Sequence, residues 1–330
     1  MTIQVTIIGI GQIGASIGLA LADHQKMLLR VGHDKQIRNA RQAEKMGALD
    51  RVDTNLPSSV RQADLVLLTL PMDQIHDTLS IIGEDLKEGA VVMDTAPVKE
   101  VVAVWAAEFL PKDRYYVGLT PVLNAEYLHE AGGGLEAAHA DLFRGGLMGI
   151  AAPQSANSDV VKLAVDLTGL LGASPFFVDL LEIDGLMAYT HILPQLWAAA
   201  LLDATTAQPG WREARKVAGR AYAEVTAPMA HLDSANALKD ALLLNRQNVL
   251  RVLDETILTL RALRSDIEAQ NGNSLSVRLE QARQSRERWW KERQSADWVS
   301  ESMPKFEMPE NPGLLGRLFG TFGRKPKQKE

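Results

Sequence analysis

A glycine-rich turn lies between a β-branched run at residues 3–8 and an apolar helical repeat at residues 13–21. Its glycines have G-x-G-x-x-G spacing: Gly9, Gly11 and Gly14. In a strand–turn–helix unit, the first glycine makes the turn, the second lets the backbone approach a pyrophosphate, and the third lets helix pack on strand. The unpaired N–H groups of Gln12 and Ile13, in the first helical turn, would bind that pyrophosphate. The pattern predicts a dinucleotide-binding loop.

An acidic residue follows the second apolar segment, at residues 27–31. Asp34 lies twenty residues beyond Gly14. A carboxylate at this position would accept hydrogen bonds from the hydroxyls of an adenosine ribose and would repel a 2′-phosphate. We therefore expect NAD as the cofactor, rather than NADP.

The composition narrows the class of protein. With 330 residues, 46% of them hydrophobic, the chain is long enough for two domains. A net charge of −6 argues against a nucleic-acid partner. The chain has no cysteine, which excludes disulfides and fits a reducing compartment. No apolar run approaches the roughly 20 residues that span a bilayer, and the first strand leaves no room for a signal peptide. We expect a cytoplasmic protein.

Strand and helix patterns alternate over the first half of the chain. The strands are predicted at 64–70, 90–94, 115–118, 147–151 and 175–178, and the helices at 36–46, 75–82, 98–110 and 160–171. This alternation predicts an α/β fold with a Rossmann-type doubly wound parallel sheet, whose ligands bind at the carboxyl ends of the strands. We assign Leu70 and Pro71 to the cofactor site because they end one such strand. The dinucleotide-binding domain is predicted to span residues 1–153.

Helical periodicity takes over beyond residue 181. Residues 186–202 are apolar almost all round, which predicts a helix buried on every side. Apolar residues between Val249 and Ile267 recur every three or four positions. They predict one helix from about 234 to 270, roughly 55 Å long. We interpret residues 154–294 as an all-α substrate and dimerisation domain that interleaves with a second copy in a homodimer; a monomeric bundle is the alternative.

The last segment, residues 295–330, has the composition of a flexible basic tail. Its apolar residues between 314 and 322 fall on one helical face and precede a run of lysine and arginine. Glycines weaken that helix. A disordered tail is the first interpretation, and a weak contact of residues 312–330 with a membrane surface or a protein is the second.

Among the histidines, His191 is set apart because it lies within an apolar helical segment. Pro194 cannot donate to the carbonyl of Thr190, so a kink is expected here. His191 is either a satisfied core residue or part of a cleft wall at that kink. Neither a Ser–His–Asp arrangement nor a metal-binding spacing occurs, and we expect no metal.

Several blocks of the sequence together resemble the prephenate/arogenate dehydrogenase family. They are GIGQIGAS at 9–16, DLVLLTLP at 64–71, MDTAPVK at 93–99, VGLTP from 117 to the acid at 126, DLF at 141–143, residues 184–194 and NRQNVL at 245–250. The resemblance covers about residues 3–270. It implies a Rossmann domain followed by a helical dimerisation domain, with the active site in the cleft between them. It also implies oxidative decarboxylation of a small cyclic carboxylic acid, a step of tyrosine biosynthesis.

The sequence departs from the family pattern at four positions that carry chemistry. Thr120 stands where the family has a histidine that hydrogen-bonds the ring hydroxyl, and Pro97 stands where it has a serine. Of a pair of histidines His191 remains, while the second is Gln195. Ala227 stands where the resemblance places an arginine for the substrate carboxylate. Nearby basic residues could replace that arginine: Arg212, Arg215, Lys216, Arg220 and Lys239.

Three residues are the catalytic candidates. His191 would act as a base or hydrogen-bond near the substrate carboxylate, Thr120 would orient the ring hydroxyl, and Lys99 would place a charge at a helix start near the cleft. Alternatively, Lys99 is a solvated helix residue and Thr120 caps a turn before Pro121. A dinucleotide-binding sensor or scaffold without turnover is the alternative function. A β-hydroxyacid dehydrogenase or imine reductase ranks last, because the glycine-rich helix and lysine of those enzymes are absent.

Overall fold

The structure is a computed structural model that describes residues 2–130 and 132–296. The predicted tail therefore lies outside the described residues, except for its first two positions.

An eight-stranded sheet forms the first part of the chain. The strands are β1 (Ile3–Ile8), β2 (Leu28–His33), β3 (Arg51–Val52), β4 (Leu65–Leu68), β5 (Val91–Asp94), β6 (Tyr115–Val122), β7 (Leu147–Ala151) and β8 (Ser174–Phe177). Their order is β3-β2-β1-β4-β5-β6-β7-β8. The order and the flanking helices confirm the predicted Rossmann-type α/β fold.

One pair of strands departs from the predicted parallel arrangement: β6 and β7 are antiparallel. A parallel return usually requires a crossover helix. The described residues between these strands form only two short 3₁₀ turns, Ala125–Tyr127 and Gly134–Ala137. The chain therefore returns beside β6 in the opposite direction, and β8 then pairs with β7 in parallel.

Thirteen α-helices occur among the described residues. They are α1 (Gln12–Ala20), α2 (Ile37–Lys45), α3 (Leu56–Val60), α4 (Met72–Ile82), α5 (Glu100–Phe109), α6 (Ser158–Leu170), α7 (Leu180–Met187), α8 (Leu193–Thr206), α9 (Trp211–Val217), α10 (Arg220–Thr226), α11 (Ala235–Leu244), α12 (Arg246–Glu268) and α13 (Gly272–Ser295). The sheet extends past residue 153, since β8 belongs to it, and the domain boundaries stay predictions.

The sheet separates two hydrophobic cores, because successive side chains of a strand point to opposite faces. Ile7 of β1 enters one core, and the next residue, Ile8, enters the other. This second core also contains Ile192, Ala241 and Val249 from the helical part. The helical part thus packs on the face of the sheet that α4 and α5 cover.

The apolar segment predicted as one buried helix is interrupted. A π-helical segment, Ala188–Ile192, separates α7 from α8. This is the irregularity expected from Pro194, whose missing N–H releases a backbone carbonyl. In the single chain, Tyr189 is 40% exposed and Trp197 36% exposed. The prediction of burial on every side is therefore wrong for the isolated subunit.

The prediction of one long helix over 234–270 is also wrong. The chain breaks at Asn245, with φ −104° and ψ 30°, between α11 and α12. The Asn245 amide donates to the backbone oxygen of Asp184 at 2.8 Å. A short polar side chain that bonds backbone outside its own helix favours such a break. The apolar stripe of α12 is buried at Val249, while Ile267 is 62% exposed.

The last described helix, α13, returns to the sheet domain. The Trp290 ring lies 4.9 Å from the His129 ring, between centroids, and the Arg293 guanidinium donates to the backbone oxygen of Leu123. Both partners belong to the loop that follows β6.

No helix in the described ranges has both the length and the hydropathy to cross a membrane. The cytoplasmic location stays a prediction.

Candidate active site

The turn after β1 has room only for glycine at two of its three motif positions. Gly9 has φ +93°, and a Cβ there would lie 2.4 Å from the Thr69 carbonyl oxygen. A Cβ on Gly14 would lie 2.2 Å from the Gly9 carbonyl oxygen. At Gly11, by contrast, a Cβ would meet no described atom within 4 Å. The space beside Gly11 is therefore open, as an approaching pyrophosphate requires.

The first turn of α1 faces this opening without a side-chain cap. Gly11 is the residue before the helix, and no side chain in the described ranges caps it. The N–H groups of Gln12 and Ile13 thus keep the partial positive charge of a helix start. Leu70 borders the same turn, since its Cδ2 lies 2.8 Å from where a Gly9 Cβ would stand. Pro71 follows Leu70 and precedes α4.

Asp34 is held next to the glycine turn. Its Oδ2 accepts from the backbone N–H of Ile10 at 2.7 Å, and its Oδ1 accepts from that of Gln36 at 2.7 Å. A carboxylate has about four acceptor sites, so lone pairs remain for ribose hydroxyls. The open cradle at Gly11, the uncapped helix start and this fixed carboxylate fit a dinucleotide.

Thr120 lies at the carboxyl edge of the sheet, two positions beyond the last pair of β5 and β6. Its side chain is 7% exposed, and no polar atom in residues 2–130 or 132–296 hydrogen-bonds its hydroxyl. Across the β6–β7 pair stands Gly149. A Cβ on Gly149 would lie 3.1 Å from the Thr120 Cβ and 3.7 Å from the Ile183 side chain of α7. Thr120 therefore lies near α7 with a free hydroxyl.

The structure corrects both interpretations of Lys99. Its Nζ donates to the Asp94 carboxylate at 2.7 Å and to the Asp94 carbonyl at 3.1 Å, and both side chains are completely buried. The Tyr116 hydroxyl donates to the other Asp94 oxygen at 2.7 Å. Burial lowers the pKa of Lys99, against the opposing effect of Asp94. The ammonium is therefore neither solvated nor presented to a cleft; it belongs to a buried network at the end of β5.

His191 lies in the π-helical segment with an exposed side chain. This exposure excludes the interpretation as a core histidine. Gln195 Nε2 lies 3.0 Å from His191 Nε2. The tautomer of the imidazole decides which of the two side chains donates in this contact. When Nε2 is the protonated nitrogen, the Nδ1 lone pair is the one that can accept a proton. Although the residue is exposed, the protein atoms around the imidazole remove part of its hydration, and this desolvation lowers the pKa of His191.

Asp184, which is only 2% exposed, was not among the predicted site residues. Its carboxylate accepts from the backbone N–H of Lys99 at 2.5 Å and of Glu100 at 3.1 Å. Burial raises the pKa of Asp184 to about 6, and the two amide hydrogen bonds and the charge of Lys99 partly offset that rise. An acid within an apolar helical segment, seven residues before His191, was the available sequence signal.

Three of the five basic candidates for the substrate carboxylate pair with nearby acids. Exposed Lys216 lies 2.5 Å from Glu213, and exposed Arg220 lies 2.7 Å from Glu224. Lys239 contacts the adjacent Asp240 at 3.0 Å. The other two, Arg212 and Arg215, are exposed on α9. Ala227 begins a 3₁₀ turn, Ala227–Met229.

Comparison with known proteins gives consistent results. Residues 17–174 match the family model described as prephenate dehydrogenase, nucleotide-binding domain. Over 319 residues, the chain is 24% identical to prephenate dehydrogenase of Bacillus subtilis, covering 94% of this chain and 82% of that protein. It is 24% identical over 288 residues to cyclohexadienyl dehydrogenase of Zymomonas mobilis, covering 86% of this chain and 94% of that protein.

Among solved structures, the fold matches prephenate dehydrogenase from A. aeolicus, determined in complex with hydroxyphenyl propionate and NAD+. The TM-score is 0.76 at 20% identity, covering 87% of this chain and 98% of that chain. The family match and the two relatives thus agree with the fold. Residues 17–174 are thus similar to the nucleotide-binding domain of prephenate dehydrogenases, and most of the chain is similar to prephenate and cyclohexadienyl dehydrogenases.

Proposed function

We propose that this protein is an NAD-dependent dehydrogenase that oxidatively decarboxylates prephenate, arogenate or a closely related cyclic acid. The observation that carries the proposal is the hydroxyl of Thr120, which is buried and has no hydrogen-bond partner in the described residues. A buried polar group without a partner is destabilising by about 1–3 kcal/mol. A substrate hydroxyl at the sheet edge would satisfy it.

Two residues of this chain would act directly on the substrate, Thr120 and His191. Thr120 would hydrogen-bond the ring hydroxyl of the substrate and fix its orientation. His191, whose lowered pKa keeps it neutral near pH 7, would accept the proton of that hydroxyl. A bound NAD would supply the hydride acceptor for the ring carbon. The bond to the ring carboxylate breaks, carbon dioxide leaves, and that electron pair completes the aromatic ring.

Positioning is the main task of the protein in this reaction, since aromatisation supplies the driving force. Thr120 cannot itself take a proton near neutral pH, so the base must be another group. His191 is the exposed imidazole that the fold places on the segment adjoining α7.

The preference for NAD over NADP rests on Asp34. Its carboxylate, fixed by two backbone amides, would accept the ribose hydroxyls and repel a 2′-phosphate. Titration of nicotinamide fluorescence with NADH and NADPH tests this: NADH should bind at least about tenfold more tightly, a difference near 1.4 kcal/mol. Equal or reversed affinity would contradict the assignment.

A homodimer is proposed for the helical part. A groove of about 430 Å³ runs between α8 and α12, lined by Tyr189, Trp197 and Leu260 among others. Elsewhere on α12, Leu258 is 63% exposed and Ile267 62% exposed. Large apolar side chains left exposed to this extent are typical of an interface. Light scattering after gel filtration should give twice the mass of the 36.1 kDa chain; the monomer mass would contradict the proposal.

Turnover distinguishes this function from the sensor alternative, which the threonine at position 120 would also fit. Prephenate or L-arogenate, added with NAD, should give rising absorbance of reduced cofactor. No turnover with either acid, despite tight NADH binding, would overturn the proposed enzyme and favour a silent dinucleotide-binding protein.

A further inference from the structure

Three elements meet at the side chain and backbone of Asp184. The carboxylate oxygens bind the backbone N–H groups of Lys99 and Glu100, at the first turn of α5. The backbone oxygen of Asp184 accepts from the Asn245 side chain, at the break between α11 and α12. Asp184 itself lies in α7 and is 2% exposed. This one residue therefore joins the sheet domain to two parts of the helical region.

The same residue sits two turns before His191 along a continuous helical path. Asp184 precedes His191 by seven positions, about two turns at 3.6 residues each. The path ends in the π-helical segment, where the regular hydrogen-bond ladder is interrupted. Because the helical hydrogen bonds are irregular there, contacts from outside the segment are needed to hold its side chains in one position.

The sheet side of the contact is rigid. Lys99, whose N–H binds Asp184, is locked through its ammonium to Asp94 at 2.7 Å. The Tyr116 hydroxyl of β6 donates to the same Asp94. Because side chains two positions apart in a strand point to the same face, Tyr116 shares one face of β6 with Gly118 and Thr120. The hydrogen bonds thus run from the strand that carries Thr120 to the helix that leads to His191.

We infer that Asp184 is a positioning residue for the reaction: it anchors the helix that leads to His191 onto the first turn of α5 and so sets the distance between His191 and Thr120. The inference rests on the proposed function. The carboxylate suits this role because both of its oxygens accept backbone N–H groups at the positive end of a helix. The charged or titratable groups around it are Lys99, Glu100, Asp94 and Tyr116.

The test compares two aspartates of the same region. Asp184→Ala removes the anchor. Asp179→Ala removes only the cap of α7, where Asp179 accepts from the Leu181 N–H at 2.8 Å on the exposed side. Asp184→Ala should lower kcat about 10- to 100-fold, because a misplaced group loses near-attack geometry. NADH affinity and KM should change less than about twofold, since the hydrogen bonds of Asp184 go to the first turn of α5 and to Asn245, and not to the glycine turn. Asp179→Ala should keep kcat within about twofold.

A second measurement does not depend on turnover. Hydrogen exchange of the backbone amides at residues 187–195 should accelerate at least about tenfold in Asp184→Ala and change little in Asp179→Ala. If the wild-type protein turns over neither acid, the proposed function is wrong. The hydrogen-exchange measurement still tests whether Asp184 anchors this segment. Unchanged exchange and unchanged kcat in Asp184→Ala would overturn the inference.

A conservative variant separates positioning from folding. Should Asp184→Ala fail to fold, Asp184→Asn retains one oxygen that can accept a backbone N–H. It should recover part of kcat, falling between wild type and the alanine variant, with KM near that of wild type. If Asp184→Asn folds with wild-type melting temperature, kcat and exchange at 187–195, the carboxylate anchor is disproved.

Discussion

Lys99 and Asp94 form an ion pair from which water is excluded: Nζ and Oδ1 are 2.7 Å apart, and both side chains have no exposed surface. Removal of one partner of such a pair leaves the other charge buried and uncompensated, which typically destabilises by about 3–5 kcal/mol. Lys99→Met should therefore lower the free energy of unfolding by roughly that amount, measured by urea denaturation at pH 7.

A matched lysine provides the control for that variant. Lys239 lies at the surface of α11 beside Asp240, and its side chain is 55% exposed. Lys239→Met should change the free energy of unfolding by less than about 0.5 kcal/mol. If Lys99→Met were as stable as wild type but lost turnover, a role of the ammonium at the substrate would have to be reinstated.

The unpartnered hydroxyl of Thr120 predicts opposite effects on stability and on catalysis. Thr120→Val removes a buried group without a partner, so the free energy of unfolding should stay level or rise by up to about 1–3 kcal/mol. The hydrogen bond to the substrate is lost, and kcat/KM should fall roughly 10- to 100-fold. Urea denaturation and initial rates give the two quantities.

Thr168 is the appropriate control because it is also buried, but its hydroxyl has a hydrogen-bond partner. Its hydroxyl donates to the Ala164 carbonyl at 2.7 Å within α6. Thr168→Val should lower stability by about 1 kcal/mol and leave kcat/KM unchanged. Loss of stability in Thr120→Val, with normal rates, would show that the Thr120 hydroxyl has only a structural role.

The pH dependence should report the neutral imidazole of His191. Burial lowers the pKa of His191 below its ordinary 6.5, so the base is active at neutral pH. As the pH falls through that lowered pKa, His191 gains its proton and kcat/KM should decline. His191→Ala should abolish turnover and leave NADH affinity unchanged.

Asp184 also titrates in this range, with a pKa raised to about 6. Because the folded state then binds this proton more tightly than the unfolded state, ionisation of Asp184 lowers stability as the pH rises from about 4 to 6. Asp184→Asn removes that titration. If kcat/KM of Asp184→Asn still declines at low pH, that decline belongs to His191. If the decline disappears in this variant, His191 is not the base.

The open space at Gly11 predicts a variant that affects the cofactor and little else. A Cβ at Gly11 would touch no described protein atom within 4 Å. The free energy of unfolding of Gly11→Ala should therefore lie within about 1 kcal/mol of the wild-type value. The alanine methyl group would fill the open space in which the pyrophosphate would lie. NADH should therefore bind at least about tenfold more weakly. Gly272→Ala, at another open glycine, should leave affinity unchanged. Normal NADH binding in Gly11→Ala would argue against the cradle.

The features that sequence predicted best depend on neighbours along the chain. The glycine turn and the strands need only local spacing and alternation, and the kink was foreseeable because Pro194 has no N–H. The anchor at Asp184 joins residues 85 positions apart, so no periodicity reveals it. The break at Asn245 likewise depends on its bond to the Asp184 backbone. Helical spacing alone therefore predicted a continuous helix, and it did not indicate that Lys99 is completely buried.

The most direct test of the account measures two products in one reaction. Wild-type protein, NAD and prephenate or L-arogenate should yield reduced cofactor by absorbance and carbon dioxide by a coupled assay, in equal amounts, because hydride loss and decarboxylation together make the ring aromatic. Reduced cofactor without carbon dioxide would contradict oxidative decarboxylation, and the absence of both would contradict the enzyme itself.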